Sequence, residues 1–315
     1  MIYIHESLDT IKDLDSIEFI SKKISKGETL SRANKRELKR VLNISEEGLS
    51  IDAPLYGMIP YLEAFFAAKN TVISPHAIEK NVESLLSGNL DDNELFNGFC
   101  QSLQNYASTP EFKRTIRMNR KSELKRQDSC CRYIDAHLEN YARLIVVRLD
   151  LHLGVDPDKV NFISDLFIDM ARYWSRLRRD LRESKKLPNP EGFIAKLEHG
   201  HHRGYHYHVM LFFDGSKHQR DVTLAKMIGE HWKQEVTKGQ GGYHNCNATD
   251  PAGYKYYGIG RVEHWDLDKI ENLKFAAYYL AKTDYSLNAL NDKGHRTFFR
   301  GTMPKKKSRR GRKRI

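Results

Sequence analysis

The chain has 315 residues, which at roughly 150 residues per domain indicates about two domains, each long enough to bury a core without disulfides or metals. Its residues are 40% hydrophobic and 30% charged, and its longest apolar stretches fall far short of the roughly 20 residues that span a bilayer, which excludes a disordered chain and a membrane protein. No secretion signal is recognisable and the four cysteines form no CxxC pair, so we expect a cytoplasmic protein with reduced thiols. The net charge is +11, which favours a polyanionic partner.

The N-terminal part of the chain is predicted to be mostly helical. Residues 54–70 and 93–106 carry apolar residues at helical spacing, and Ser74 followed by Pro75 is typical of the start of a further helix. Nothing here indicates catalysis, so we interpret residues 1–130 as a helical accessory domain. Its boundary is expected between residues 110 and 140, beside the basic block 113–126, which holds seven Lys or Arg and one Glu.

Residues 141–300 are predicted to form an α+β domain, because runs of β-branched and aromatic residues alternate with long helical patterns. A strand over 143–151 is followed by a helix whose apolar residues recur at three and four from Val160 to Leu181. The elements expected after it are strands over 192–198 and 205–213, a helix near 220–237, a strand near 256–264, a helix over Leu267–Tyr285 and a short strand over 296–299.

Residues 301–315 are predicted to be a disordered basic tail. Residues 305–315 hold eight Lys or Arg and no acid, and once both basic blocks are set aside the rest of the chain has a net charge of −3. Such blocks are typical of nucleic-acid surfaces, although a merely solubilising tail would have the same composition. The candidate DNA-binding residues are Arg148, Arg203, Lys305, Lys306, Lys307, Arg309, Arg310, Arg312, Lys313 and Arg314.

Two histidines in the 205–213 strand form a candidate metal site. His206 and His208 share a face because successive side chains of a strand alternate. If residues 200–204 form a hairpin loop, the numbers of paired residues sum to 404 and Glu198 lies opposite His206, so the three side chains could ligate Mg²⁺ or Mn²⁺. A cross-strand polar pair is the alternative interpretation. The other nearby histidines, expected in solvated or phosphate-contacting positions, are His199, His201 and His202.

Two adjacent tyrosines and a lysine on the last predicted helix are candidate catalytic residues. Tyr278 and Lys282 are i, i+4 neighbours and Tyr279 and Lys282 are i, i+3 neighbours, so either tyrosine can share a face with the lysine. A nearby ammonium favours the phenolate or stabilises charge that develops on an attacked phosphate. One of two adjacent helical tyrosines is usually a packing residue, and the pattern leaves open which one.

The order and spacing of these residues resemble the HUH endonucleases, in which rolling-circle initiators cut one DNA strand with a tyrosine beside a two-histidine metal site. The resemblance covers residues 141–300 and rests on Glu198, the His206-Tyr207-His208 strand and the Tyr279-Leu280-Ala281-Lys282 segment. Within that group the RLDL and HYHVMLFFDG strands, YLAKTD and RTFFRGT look like the YagK/YfjJ-like replication proteins of prophages and inoviruses.

This resemblance implies a five-stranded antiparallel sheet with flanking helices, related to the RNA-recognition fold, with the histidine strand central. It implies that a metal on the three proposed ligands polarises the scissile phosphodiester. A tyrosine would then attack to form a 5′-phosphotyrosine link and leave a free 3′-hydroxyl to prime synthesis. Tyr279 matches the YxxK form of the family motif and is the preferred nucleophile, with Tyr278 as the alternative. Lys282 would assist the attack.

The implied substrate is single-stranded DNA at an origin hairpin, and residues 1–130 would serve origin binding or protein contacts. No GxxxxGK[ST] phosphate loop occurs in the chain, so a separate helicase and host replication proteins are the expected partners. A different class of function is a non-catalytic DNA-binding regulator of a prophage or mobile element, in which the histidine strand and the tyrosines are structural. A relaxase or single-strand transposase would share the chemistry and differ only in the DNA that it serves.

Overall fold

The computed structural model describes residues 4–43, 60–72, 94–154, 163–200, 204–253, 256–282 and 296–306. These residues form two compact units, one with the described residues up to Lys121 and the other with those from Ser122 onward. Across the described ranges, no helix has the length and apolar character that crossing a membrane requires.

The first unit is helical. Its elements are α1 (Ile4–Ser25), α2 (Arg32–Leu42), α3 (Pro60–Val72), α4 (Glu94–Ser108) and the beginning of α5 (Pro110–Asn140). Apolar side chains from all five helices share one core, in which the Phe65 ring meets the rings of Phe66 and Phe99 edge to face at 5.4 Å. The helix predicted after Ser74 and the residues 54–59 lie outside the described residues.

The second unit confirms the predicted α+β class. After the rest of α5 it contains β1 (Arg143–Leu153), α6 (Ile163–Glu183), β2 (Gly192–Gly200), β3 (Gly204–Asp214), α7 (Asp221–His231), β4 (Gly241–Asn245), β5 (Gly260–Glu263), α8 (Leu267–Leu280) and β6 (Phe298–Arg300). A π-helical turn over Trp232–Val236 extends α7. The sequence prediction lacks β4, because its sequence GGYHN contains two glycines and no β-branched residue.

The strands form one antiparallel sheet in the order β4-β1-β3-β2-β6, and β5 pairs with the beginning of β1. This sheet has six strands in the described residues, one more than the resemblance implies. The histidine strand β3 is central, as expected. Its pairs with β2 sum to 404 from Gly192 and Phe212 through to Glu198 and His206, which confirms the predicted register.

The two faces of the sheet are covered by different helices, and the candidate ligands His206 and His208 lie on only one of these faces. Odd-numbered residues of β3 face α6, where the Tyr207 ring stacks on Trp174 at 5.1 Å. Even-numbered residues face α5 and α8, and Met210 is fully buried in a cluster with residues of both helices. His206 and His208 continue this second face toward the start of β3, where the apolar cluster gives way to polar residues.

Candidate metal centre and neighbouring tyrosines

Glu198, His206 and His208 lie together where β2 ends and β3 begins. Their ligand atoms all lie within 4.8 Å of one another. The Nε2 atom of His208 is 3.2 Å from Nε2 of His206 and 3.1 Å from a carboxylate oxygen of Glu198. Ligands about 2.0–2.2 Å from one ion are at most about 4.3 Å apart, so small rotations of these side chains allow all three to bind it. The predicted ligands therefore form a group that could hold a metal ion.

A fourth side chain, Asp150 of β1, orients His208. The register of β1 and β3 places the two residues opposite each other, and a carboxylate oxygen of Asp150 is 2.5 Å from His208 Nδ1. A carboxylate bound to Nδ1 fixes the ring so that Nε2 faces the other two ligands, as is usual for histidines that bind metals. Asp150 and both histidines are buried, so the arrangement is held by the surrounding sheet.

The protonation of this group follows from its burial and its carboxylates. Burial on its own would lower the pKa of His208, but the hydrogen bonds with Asp150 and Glu198 outweigh it and raise that pKa to about 9. Burial would raise the pKa of each carboxyl group, but the bonds to His208 leave both pKa values below their ordinary range. Without a metal the group is therefore an imidazolium held between two carboxylates.

The ring of Tyr279 lies beside this group, near the end of α8. Its centroid is 6.0 Å from that of the His208 ring, and the residue is 46% exposed. The Lys282 ammonium is 5.1 Å and the Arg148 guanidinium carbon 5.8 Å from the same centroid. Tyr279 is thus accessible to a substrate and has two cations close to its ring.

Tyr278 has a different environment. Adjacent residues are about 100° apart around a helix, so neighbouring tyrosines do not face the same side. The Cys131 thiol of α5 donates to the Tyr278 hydroxyl at 3.1 Å, and the Tyr278 ring packs edge to face on Phe275 at 5.7 Å. The bond with Cys131 and burial raise the pKa of Tyr278 to about 12. The residue therefore has the contacts of a packing residue.

Lys282 lies just beyond α8, which ends at Leu280, whereas the sequence predicts a helix as far as Tyr285. The chain turns here, and the Lys282 amide donates to the carbonyl of Tyr279 at 3.3 Å. The Arg126 guanidinium of α5 donates to the Ala281 carbonyl at 3.0 Å. These two bonds hold the backbone after the helix, which places the Lys282 ammonium over the Tyr279 ring.

The family model of the YagK/YfjJ C-terminal domain matches residues 106–300, well over half of the chain. The chain belongs to this family. Comparisons with curated proteins and with solved structures found no match. The YagK/YfjJ domain includes the three candidate ligands, both tyrosines and Lys282, so the whole candidate site lies within the matched region.

Two charged residues of the YagK/YfjJ domain lie beside the ligands and are absent from the sequence prediction. One is Asp150; the other is Lys196 of β2, which is 3% exposed, lies opposite His208 and has its ammonium 3.4 Å from the Thr297 hydroxyl. Each lies two positions from a candidate site residue of the same strand: Asp150 from Arg148 on β1, and Lys196 from Glu198 on β2. This period of two is the signal that would have found them.

The remaining DNA-binding candidates are described only in part. Lys305 and Lys306 are exposed, and the Lys306 ammonium lies 4.0 Å from a carboxylate oxygen of Glu139. The basic block 113–126 is helical throughout, since it lies on α5. The candidates outside the described residues are Arg203, Lys307, Arg309, Arg310, Arg312, Lys313 and Arg314, together with His201 and His202.

Proposed function

We propose that this protein is an HUH-type endonuclease that nicks single-stranded DNA at an origin and so initiates rolling-circle replication. The observation that carries the proposal is the position of Tyr279, half exposed and 6.0 Å, ring to ring, from a buried histidine of the ligand group. A phenol beside a metal-ligand group and two cations is suited to transesterification at a phosphodiester. The basic blocks of the chain favour nucleic acid as the substrate.

The donor set fits a divalent metal ion. Two imidazole nitrogens and one carboxylate oxygen provide three ligands, and the oxygen ligand favours a hard ion such as Mg²⁺ or Mn²⁺ that also accepts phosphate oxygens. The buried bond between Asp150 and His208 supports this fit, because it turns Nε2 of the histidine toward the other ligands. When bound, such an ion would polarise the scissile phosphodiester as a Lewis acid.

Side chains of the protein would perform the covalent step. A bond forms between the Tyr279 oxygen and the phosphorus while the bond to the 3′ oxygen breaks, the phenolic proton leaves to solvent and the 3′ oxygen takes up a proton. The Lys282 ammonium, which lies over the Tyr279 ring, would stabilise the negative charge that develops on the attacked phosphate. Arg148 would bind a non-bridging phosphate oxygen, since its guanidinium carbon lies 5.8 Å from the centroid of the Tyr279 ring.

The products of this step suit an initiator. The 5′ end of the DNA stays attached to Tyr279, and the free 3′-hydroxyl can prime synthesis. An origin hairpin would supply the single-stranded substrate, and a separate helicase and host replication proteins would extend the nick. A relaxase or transposase would use the same residues on a different DNA.

The test compares two tyrosine variants that differ by one position. Tyr279→Phe and Tyr278→Phe each remove one hydroxyl and retain the ring, so the second is a matched control for the first. Tiled single-stranded oligonucleotides from the genetic element that encodes the protein are incubated with each variant and Mn²⁺. We expect wild type and Tyr278→Phe to form a covalent protein–DNA adduct on a denaturing gel, and Tyr279→Phe to form none.

The outcomes separate the candidate functions. His208→Ala should abolish the adduct as Tyr279→Phe does, because the site then lacks a ligand. An adduct that persists in Tyr279→Phe and is lost in Tyr278→Phe would move the nucleophile by one residue. Specific binding of the element's DNA without any metal-dependent cleavage would replace the nickase proposal with that of a DNA-binding regulator.

A further inference from the structure

A third basic block lies in the first unit, at the end of α1 and along α2. Residues 22–40 contain eight Lys or Arg and two Glu, which gives this short segment a net charge of +6. Both acids are engaged with neighbouring cations, Glu28 with Lys23 at 3.2 Å and Glu37 with Arg40 at 2.7 Å. The cations of the block outnumber its acids by six, and Arg32 and Arg36 are exposed, so the block as a whole attracts an anion.

Helix α2 arranges four of these cations in a row, which we name the basic stripe. The stripe consists of Arg32, Lys35, Arg36 and Lys39. Positions three and four apart are neighbours on a helix, and at 1.5 Å per residue the stripe is about 10 Å long. Another side of α2 buries Leu38, Val41 and Leu42 in the core of the unit, so the helix is amphipathic and cannot turn its cations inward.

Contacts with α1 fix the orientation of the basic stripe. Ser16 of α1 donates to a Glu37 carboxylate oxygen at 2.7 Å, and Arg40 forms an ion pair with Asp13 of α1. The Ser31 hydroxyl caps the helix by accepting from the amide of Asn34 at 3.2 Å. The helix is thus preorganised, which reduces the entropy lost when its surface binds a partner.

The chemistry of the stripe fits double-stranded DNA. A duplex carries one negative charge per about 1.7 Å of its axis, so a row of cations about 10 Å long meets several phosphates. Single strands are usually bound with the help of aromatic rings on which bases stack, and residues 22–40 contain no aromatic residue. Charge density favours the duplex, and the composition gives no advantage to unpaired bases.

We propose that the basic stripe binds the phosphate backbone of double-stranded DNA. It lies outside residues 106–300, which match the YagK/YfjJ C-terminal domain, and the proposal goes beyond the nicking activity without depending on it. Contacts of this kind position a protein on a duplex and carry no base information, so the stripe would bind all duplex sequences alike.

The test measures duplex binding by the full-length protein with Arg32→Gln and Arg36→Gln combined. Both side chains are exposed, and Gln has nearly the helix propensity of Arg, so circular dichroism and Tm should be unchanged. Lys226→Gln with Lys233→Gln is the matched control, because it also removes two exposed cations. Fluorescence anisotropy with a labelled duplex of arbitrary sequence, and with one of its strands, is recorded at several salt concentrations.

Each lost phosphate contact should make the slope of log K against log salt flatter by about 0.9. If variant and wild type bind equally at 1 M salt, this change of slope makes binding about eightfold weaker at 0.1 M salt. The stripe variant should therefore show a slope flatter by about 1.8 and duplex binding about 60-fold weaker, with the control close to wild type. Single-strand binding and oligonucleotide cleavage should persist. Unchanged duplex binding, an equal loss in the control, or a loss confined to single strands would each overturn the proposal, whereas absent cleavage in the wild type would count only against the nickase.

Discussion

Replacing Asp150 by Asn tests whether the buried carboxylate orients a metal ligand. The variant keeps the shape of the side chain and removes its charge, which is 2.5 Å from Nδ1 of His208. Loss of such an outer contact usually weakens metal binding by about 10- to 100-fold. Together with the bond to Glu198, this hydrogen bond raises the pKa of His208 to about 9, so the variant changes the competition between metal and proton as well.

The loss of the orienting contact weakens metal binding, whereas weaker competition by protons strengthens it. The two effects can be distinguished because only the second depends on pH. In wild type a metal must displace a proton from His208 below about pH 9, so affinity should fall about tenfold for each pH unit below that value. Asp150→Asn lowers the pKa of His208, because one of the two carboxylates that raise it is gone, and proton competition then begins at a lower pH. The loss of affinity should therefore be largest near pH 9 and shrink as the pH falls.

The measurement is the Mn²⁺ affinity of wild type and variant by titration calorimetry at about pH 6.5, 7.5 and 8.5. Asp214→Asn serves as a control, since this carboxylate lies at the far end of β3, opposite Leu144, and is only 14% exposed. A difference between Asp150→Asn and wild type that is the same at every pH would refute the account of His208. Mn²⁺ binding that is equal in both proteins would refute the role of Asp150.

The same raised pKa affects the stability of the metal-free protein. The contribution of the protonated His208 to the free energy of unfolding is fully present below the ordinary His pKa of about 6.5 and is lost as the pH rises through about 9. The affinity for metal rises over the same pH interval. A bound metal should therefore stabilise the protein most near pH 9, where the His208 imidazolium no longer does.

Three further perturbations probe other parts of the molecule. Arg148→Met should lower the cleavage rate about 100-fold at saturating DNA with unchanged Mn²⁺ affinity, and a change in affinity alone would argue against phosphate binding. Gly258→Ala should lower the free energy of unfolding by about 1–3 kcal/mol in urea titrations, because its Cβ would overlap the Leu273 backbone; full stability would show that the segment can shift. Truncation after Pro304 should make the slope of log K against log salt for single-strand binding flatter by about three, if half of the eight tail charges contact phosphates. An unchanged slope would show that the tail does not contribute to binding.

The ligand group could be predicted because a hairpin links sequence spacing to register. Glu198 and His206 belong to strands that are adjacent in the chain, so the pairing sum and the alternation of side chains place them opposite each other. The role of Asp150 could not be predicted in the same way. Its contact with His208 spans 58 residues, and the register of β1 on β3 is set by packing of the whole sheet rather than by a short turn.

The environments of the tyrosines also required the tertiary structure. Ala277 and Leu280 are buried, and Tyr278 and Tyr279 lie between them on opposite sides of the buried stripe of α8. Which of the two sides meets β3 depends on the direction in which α8 crosses the sheet, and no local pattern encodes that direction. The preference for Tyr279 as nucleophile stays a prediction, but its position beside His208 is what such a role requires.

The different environments of the two tyrosines limit the reaction that this site could support. Tyr278 is bonded to Cys131 and has a pKa of about 12, so it is poorly suited to accept a second DNA end while Tyr279 holds the first. If the protein is a nickase with Tyr279 as nucleophile, we expect a single covalent DNA per chain, which attack by a 3′-hydroxyl would release. If the upstream fragment, which carries the free 3′-hydroxyl, dissociates from the protein, the adduct should reach a plateau near one per chain, in Tyr278→Phe as in wild type. Two adducts on one chain would show instead that α8 moves enough to bring both tyrosines to the metal ligands.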